Sequence, residues 1–173
     1  MAALPNPKQQ HHIEKWLSAL GGMVSLLGIL LISQLSLNMQ GASVLVASMG
    51  ASAVLLFAVP HGALSQPWPV LGGHLISALI GVSCAKFIPL PMVAAALAVA
   101  LAIGAMHYLN CIHPPGGATA LSAVIGGDAI HQLGFQYVLT PVLLNVIIVL
   151  IVAILFNYPF HWRRYPLALR KTA

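Results

Sequence analysis

The residues best equipped for chemistry lie in His113-Pro114-Pro115-Gly116-Gly117-Ala118-Thr119-Ala120-Leu121. Proline lacks an N–H and presets φ, so it suits the first turn of a helix, and glycine beside it lets a ligand approach the backbone closely. A helix starting near Pro115 would leave its first N–H groups without intrahelical acceptors, in a partly positive field. That is an anion site in outline. His113, Pro114, Pro115, Gly116, Gly117 and Thr119 are therefore candidate binding residues, on a helix that Gly126 and Gly127 should stop about halfway across a bilayer core.

A shift of 67 positions lays Gly50-Ala51-Ser52-Ala53-Val54 over Gly117-Ala118-Thr119-Ala120-Leu121, GASAV against GATAL. The first copy could start a matching half-helix at Ser48, Met49 and Gly50, ended by Pro60, which adds Gly50 and Ser52 to the candidates. For this copy, tight helix packing through small residues and close approach of a ligand both remain open.

Imidazoles titrate near neutrality, so His113 at the helix break and His74, behind Gly72 and Gly73 in an apolar run, are candidates for proton coupling. His61 and His107 read as boundary residues, and His11, His12, His131 and His161 as solvated or interfacial. Cys111-Ile112-His113 could offer a metal two ligands where a structural zinc wants four, so neither metal nor cofactor is expected. Cys84 and Cys111 read as small packed hydrophobes rather than a disulfide framework. Ser52 and His74 supply a nucleophile and a base with no orienting carboxylate near them, so no enzyme is expected either.

The elements that must hold these residues follow from composition. Of 173 residues, 60% are hydrophobic and 5% charged, with a mean hydropathy of +0.95. A soluble domain carries roughly 25% charge, so this composition excludes one. The net charge of +5 comes from bases flanking apolar runs, not from a basic stripe interleaved with aromatics, which excludes a nucleic-acid partner. Four runs, Trp16 to Leu37, Trp68 to Ala85, Met92 to Tyr108 and Tyr137 to Tyr158, can each cross a core of about 30 Å. The expected fold is an all-α integral membrane protein with four transmembrane helices and two re-entrant half-helices in a two-fold internal repeat.

Residues 1–15 form a polar lead without a cleavable-signal pattern, 16–158 a single membrane domain with repeats of about 16–86 and 87–158, and 159–173 a basic tail. With both small-residue segments re-entrant, Lys86 joins the termini on the cytoplasmic side, as the positive-inside rule prefers. In the alternative, six spans form an inverted repeat and Lys86 lies on the other side. The four-span reading also sets Trp68, Tyr108 and Tyr137 in one aromatic belt, opposite Trp16, Tyr158, Trp162 and Tyr165. Four spans leave a thin wall around a pathway, which suggests a homo-oligomer.

HPPGGATAL, with MGASAVLLF at Met49 to Phe57 and QPWPVLGGHLISALI at Gln66 to Ile80, resembles the HPP family of small integral membrane proteins. The resemblance runs from about Leu17 to Phe156. It implies a four-span membrane protein like those of cyanobacteria and chloroplasts, some of which are assigned nitrite transport. The short lead is similar to that of bacterial members, which implies a bacterial plasma membrane; the positive charges set both termini on its cytoplasmic side. The residues agree independently: no acid lies in any span, whereas hydroxyls, amides and histidines at Ser48, Ser52, Thr119, Ser122, Asn110, Asn145, His61, His74, His107 and His113 make a donor-rich lining. Cation pathways normally use acids or carbonyl rings. The expected function is transport of a small monovalent anion, nitrite first. The alternatives are a passive anion channel and a non-transporting assembly subunit.

Overall fold

The computed structural model describes residues 7–36 and 39–169. Residues 1–6 of the lead, Leu37 at the end of the first run, and the tail bases Arg170 and Lys171 lie outside them. The described residues are helical, without strands. Helices α1 (Pro7–Ser36), α2 (Met39–Ala58), α3 (Pro67–Phe87), α4 (Pro91–Tyr108) and α5 (Pro114–Ile125) are followed by the short α6 (Asp128–Leu133). A wider turn over Val138–Leu143, broken at Thr140, then leads into α7 (Leu144–Asn157).

Three of these helices start the same way. Pro67, Pro91 and Pro114 each open a helix, after Gln66, Leu90 and His113 in extended conformation. The ring sets φ and needs no N–H partner in the first turn, while its Cδ pushes the preceding residue out of the helical region. Segments in α1, α3, α4 and the Val138–Asn157 stretch are long and apolar enough to cross a membrane, and shorter apolar helices accompany them. The protein is an all-α integral membrane protein. Its packing is inside-out relative to a soluble domain: Leu31, Leu101, Ile151 and Leu155 face outward, while Ser48, Ser52, His74 and Thr119 are buried. Lipid tails accept the former, and the latter must find partners within the bundle.

Close approach of α3 and α5 depends on absent side chains. A Cβ on Gly116 would lie 2.6 Å from the Gly73 carbonyl oxygen, and one on Gly81 2.5 Å from that of Ala120. Across α4, Ala94, Ala98, Ala102 and Met106 form a buried stripe at helical spacing. Small residues are how membrane helices gain contact when the surrounding lipid is as apolar as they are.

The ends of the bundle can be ordered from its hydrogen bonds. Arg163, after α7, reaches Glu14 near the start of α1 and the Phe57 carbonyl near the end of α2. Leu167 N–H donates to Gln66 just before α3, and Trp68 Nε1–H to the Leu109 carbonyl just after α4. These groups share what we call the terminal end. At the opposite end Asn145 of α7 donates to Ser33 of α1, and Lys86 lies over the Phe135 ring.

Among the described residues, four helices long enough to cross are present, as expected. Two placements differ from expectation. Helix α2 does not turn back on its own side but runs from the α1 exit to the terminal end, with α2 and α5 accompanying the four long helices. Lys86 follows Pro67 by nineteen residues of unbroken helix, which carries it about 28 Å from the terminal end. The aromatic belts change with it. Trp68 and Tyr108 lie at the terminal end, and Tyr137 is wholly buried instead of lying at a boundary. In intact vesicles, cysteines replacing Lys86 and Asp128 are expected to label from one side and a cysteine replacing His161 from the other; Lys86→Cys labelling alongside His161→Cys would contradict this path.

Candidate functional site

Helices α2, α3 and α5 meet around five side chains with no exposed surface: Ser48, Ser52, His74, His113 and Thr119. His74 follows Pro67 by seven residues, which places it about 10 Å along α3. Ser48 and Ser52 share a face of α2 at helical spacing. His113 arrives through an irregular connection. Asn110 adopts φ 51°, the Cys111 N–H bonds the Met106 carbonyl, and extended His113 then starts α5. Gly73 leaves the space this needs, since a Cβ there would lie 2.6 Å from that of His113.

The polar atoms form one continuous chain. Ser52 Oγ lies 2.7 Å from His74 Nε2 and 2.9 Å from His113 Nε2. His74 Nδ1 lies 2.7 Å from Thr119 Oγ1, which is 3.0 Å from Ser48 Oγ. His113 Nδ1 donates to the Leu64 carbonyl at 2.8 Å. The imidazole centroids are 5.0 Å apart at 62°.

With both imidazoles neutral, that carbonyl sets the His113 tautomer, and pairing every ring nitrogen then sets the other hydrogens. It can only accept, so the His113 proton is on Nδ1 and its Nε2 is a bare lone pair. Ser52 O–H therefore donates to His113 Nε2, His74 Nε2–H donates to Ser52, Thr119 O–H donates to His74 Nδ1, and Ser48 O–H donates to Thr119. The two histidines are thus held in opposite tautomers. Five hydrogens make five bonds in one direction.

Four of the sequence candidates, His113, Thr119, Ser52 and His74, come together here. The others do not. Gly50 lies inside α2, not at a helix start, because no breaker precedes it and the helix begins back at Met39. A Cβ on Gly50 would meet nothing within 4 Å. Pro114 is exposed, Pro115 is buried, and Gly116 packs on Gly73. Gly117 borders a groove of about 500 Å³ lined by Val99, Ile103, Met106 and Leu121.

The expected cradle of free N–H groups is also corrected. Pro114 and Pro115 have none, and the Gly116 N–H donates to the His113 carbonyl at 2.8 Å. The Gly116 and Gly117 variants should therefore differ. Gly116→Val drives a side chain into the α3 backbone and is expected to cut the yield of folded protein severely, whereas Gly117→Val, whose Cβ would come no nearer than 3.9 Å to Val99, should match wild type in detergent melting.

Sequence reasoning named Ser48 as a helix start and as one hydroxyl among several, not as a member of this cluster, and missed the Leu64 carbonyl altogether. The four-residue spacing from Ser48 to Ser52 was a usable signal. A backbone acceptor has none. Tyr137, whose hydroxyl donates to the Thr119 carbonyl at 3.5 Å, was hidden by its position at the edge of an apolar run.

The family model for the HPP transmembrane region matches residues 7–166. The chain belongs to the HPP family. This HPP chain is 38% identical over 160 residues to a transmembrane protein of Dictyostelium discoideum, covering 88% of itself and 53% of that relative. It is 37% identical over 158 residues to a second transmembrane protein of the same organism, covering 87% of itself and 49% of the relative. The HPP chain thus spans about half the length of these curated relatives. No solved structure matches it.

Proposed function

We propose that the protein transports a small monovalent anion across the membrane, with nitrite the first to assay. The observation that supports this is the buried cluster of two imidazoles and three hydroxyls. Ionisable groups within membrane helices mark functional pathways by default. No carboxylate occurs on α2, α3 or α5, so the charge that the imidazoles can acquire is positive and the cargo that suits it is negative. The similarity of the HPPGGATAL block to family members assigned nitrite transport supplies the choice of anion.

The reading includes an internal duplication. Helix α1 packs on α2 and α7, while α4 packs on α5 and α3; exchanging α1 with α4, α2 with α5 and α3 with α7 interchanges these neighbours. It also places the terminal end in the cytoplasm, where Lys15, Arg163 and Arg164 satisfy the positive-inside rule. A second copy covering the groove beside Gly117 would make a homo-oligomer.

One contact favours a different class: Ser52 and His74 are paired as a nucleophile and base would be. The partner of His74 Nδ1 is the Thr119 hydroxyl rather than a carboxylate, and Ser52 is shared with a second imidazole. We therefore read the protein as a transporter and not an enzyme. Purified protein in liposomes tests this with nitrite, nitrate, formate, bicarbonate and chloride in parallel. Protein-dependent nitrite uptake is expected; absence of flux for every anion would overturn the reading and leave an assembly subunit.

A further inference from the structure

An anion entering a cell against an inside-negative potential is opposed by about 2.3 kcal/mol per 100 mV, so accumulation needs a compensating positive charge. The cluster has the means to hold one. In the neutral chain all five hydrogens are used, and an added sixth needs a sixth acceptor. All three hydroxyls have one in reserve, Ser52 Oγ lying 3.2 Å from the Ser48 carbonyl. Ser48 Oγ lies 2.9 Å from the Leu45 carbonyl and Thr119 Oγ1 3.4 Å from the Pro115 carbonyl.

When His74 takes the extra proton on Nδ1, that N–H donates to Thr119. The Thr119 hydrogen turns to the Pro115 carbonyl and the Ser48 hydrogen to the Leu45 carbonyl. Nothing is left unpaired. Two hops through Ser52 then move the charge to the other ring: His74 Nε2 gives its proton to Ser52 Oγ as Ser52 gives its own to His113 Nε2. His113 now donates from both nitrogens, to Leu64 and Ser52, and the Ser52 hydroxyl points back to His74. No bond breaks apart from those to the moving protons. A second proton would place two cations on rings only 5.0 Å apart.

Among the described residues, no counter-charge lies beside the pair; Asp128 and His131 of α6, which follows α5, are both exposed. Neither α2 nor α5 bears a titratable side chain, and α3 bears Cys84 and Lys86 at its far end. Tyr137 is hydrogen-bonded to the Thr119 carbonyl, Tyr165 to the Ser65 carbonyl beside Leu64, and the Cys111 thiol lies against Gly72. His61 follows α2 in the connection to α3. On the neighbouring helices, Glu14 of α1 is paired with Arg163, Lys15 and His12 of α1 are exposed, and His107 and Tyr108 of α4 are exposed. α7 bears no titratable side chain. A buried cation without a partner is costly.

We propose that the Ser52-bridged pair His74 and His113 binds a single proton, and that the transported anion supplies its missing counter-charge, so that the two move one for one. This rests on the anion-transport reading but is tested without flux. Protein labelled with ¹⁵N-histidine in lipid nanodiscs, with His74→Gln and His113→Gln assigning the signals, should show an Nε2–H tautomer at His74 and an Nδ1–H tautomer at His113. Lowering pH should add one proton shared between the two rings. Nitrite at a hundred times its dissociation constant should raise the midpoint of that titration by about two pH units, since a ligand bound only to the protonated form shifts it by that factor. Identical tautomers, two independent protonations, or a midpoint unmoved by nitrite would each overturn the proposal. If nitrite flux persists with an unmoved midpoint, the coupling falls and the transport reading stands; if no anion is carried, the transport reading falls by itself.

Discussion

Ser52→Ala is expected to lower nitrite flux between about tenfold and a hundredfold while the protein still reaches the membrane folded. Ser52 Oγ alone joins the two imidazoles, 2.7 Å from one and 2.9 Å from the other. A hydrogen bond to a charged group contributes about 1.5–3 kcal/mol, so its loss lowers the protonated population by roughly that range of factors. The alanine fits because it only removes an atom. Uptake in proteoliposomes, normalised to reconstituted protein, measures the effect. Wild-type flux from Ser52→Ala would mean that the pair does not act through this oxygen.

Among truncations, the largest loss of stability should come from Arg163→Ala. Arg163 is wholly buried at the terminal end, donating to Asn157 Oδ1 at 2.9 Å, to the Phe57 carbonyl at 2.6 Å, to Ser18 Oγ at 3.2 Å and to Glu14. Burial pulls its guanidinium below the ordinary value, and Glu14 opposes that pull. Trp162 Nε1–H holds the second Glu14 oxygen at 2.9 Å, so the segment after α7 ties together the ends of α1, α2 and α7. Removing the guanidinium strands these acceptors. The expected cost is about 3 kcal/mol, the low end for a broken buried pair, since 35% of the Glu14 side chain remains exposed. Thermal unfolding in detergent measures it, and an unchanged midpoint would show that the strap does not hold the bundle.

Much of this arrangement is legible in the chain because membrane chemistry writes long apolar runs and helix-opening prolines plainly. The expected starts at Trp68, Met92 and about Pro115 each lie one residue beyond the proline that opens the observed helix, Pro67, Pro91 or Pro114. His113, His74, Ser52 and Thr119 can be singled out because a polar side chain in an apolar run needs a partner. The start of α2 is not legible. Ser48, Met49 and Gly50 look like a helix opening by analogy with Pro115-Gly116-Gly117, but without a proline the helix continues through them. Lys86 is likewise ambiguous, since a single base can lie on the disfavoured side when its amine finds an aromatic ring, here Phe135 at 5.2 Å. The direction of the hydrogen-bonded chain depends on the Leu64 carbonyl, and a main-chain oxygen leaves no mark in residue type.

The coupling of one proton to one anion makes transport electrically silent, and this is its most direct test. Proteoliposomes with an entrapped pH dye, their voltage clamped by potassium and valinomycin, receive an inward nitrite gradient. The prediction is lumen acidification above that caused by nitrous acid crossing protein-free vesicles, at a rate independent of the clamped voltage and reduced to the protein-free level when His74 and His113 are both replaced by Gln. Protein-dependent nitrite entry that follows the voltage and leaves lumen pH at the protein-free level would contradict it.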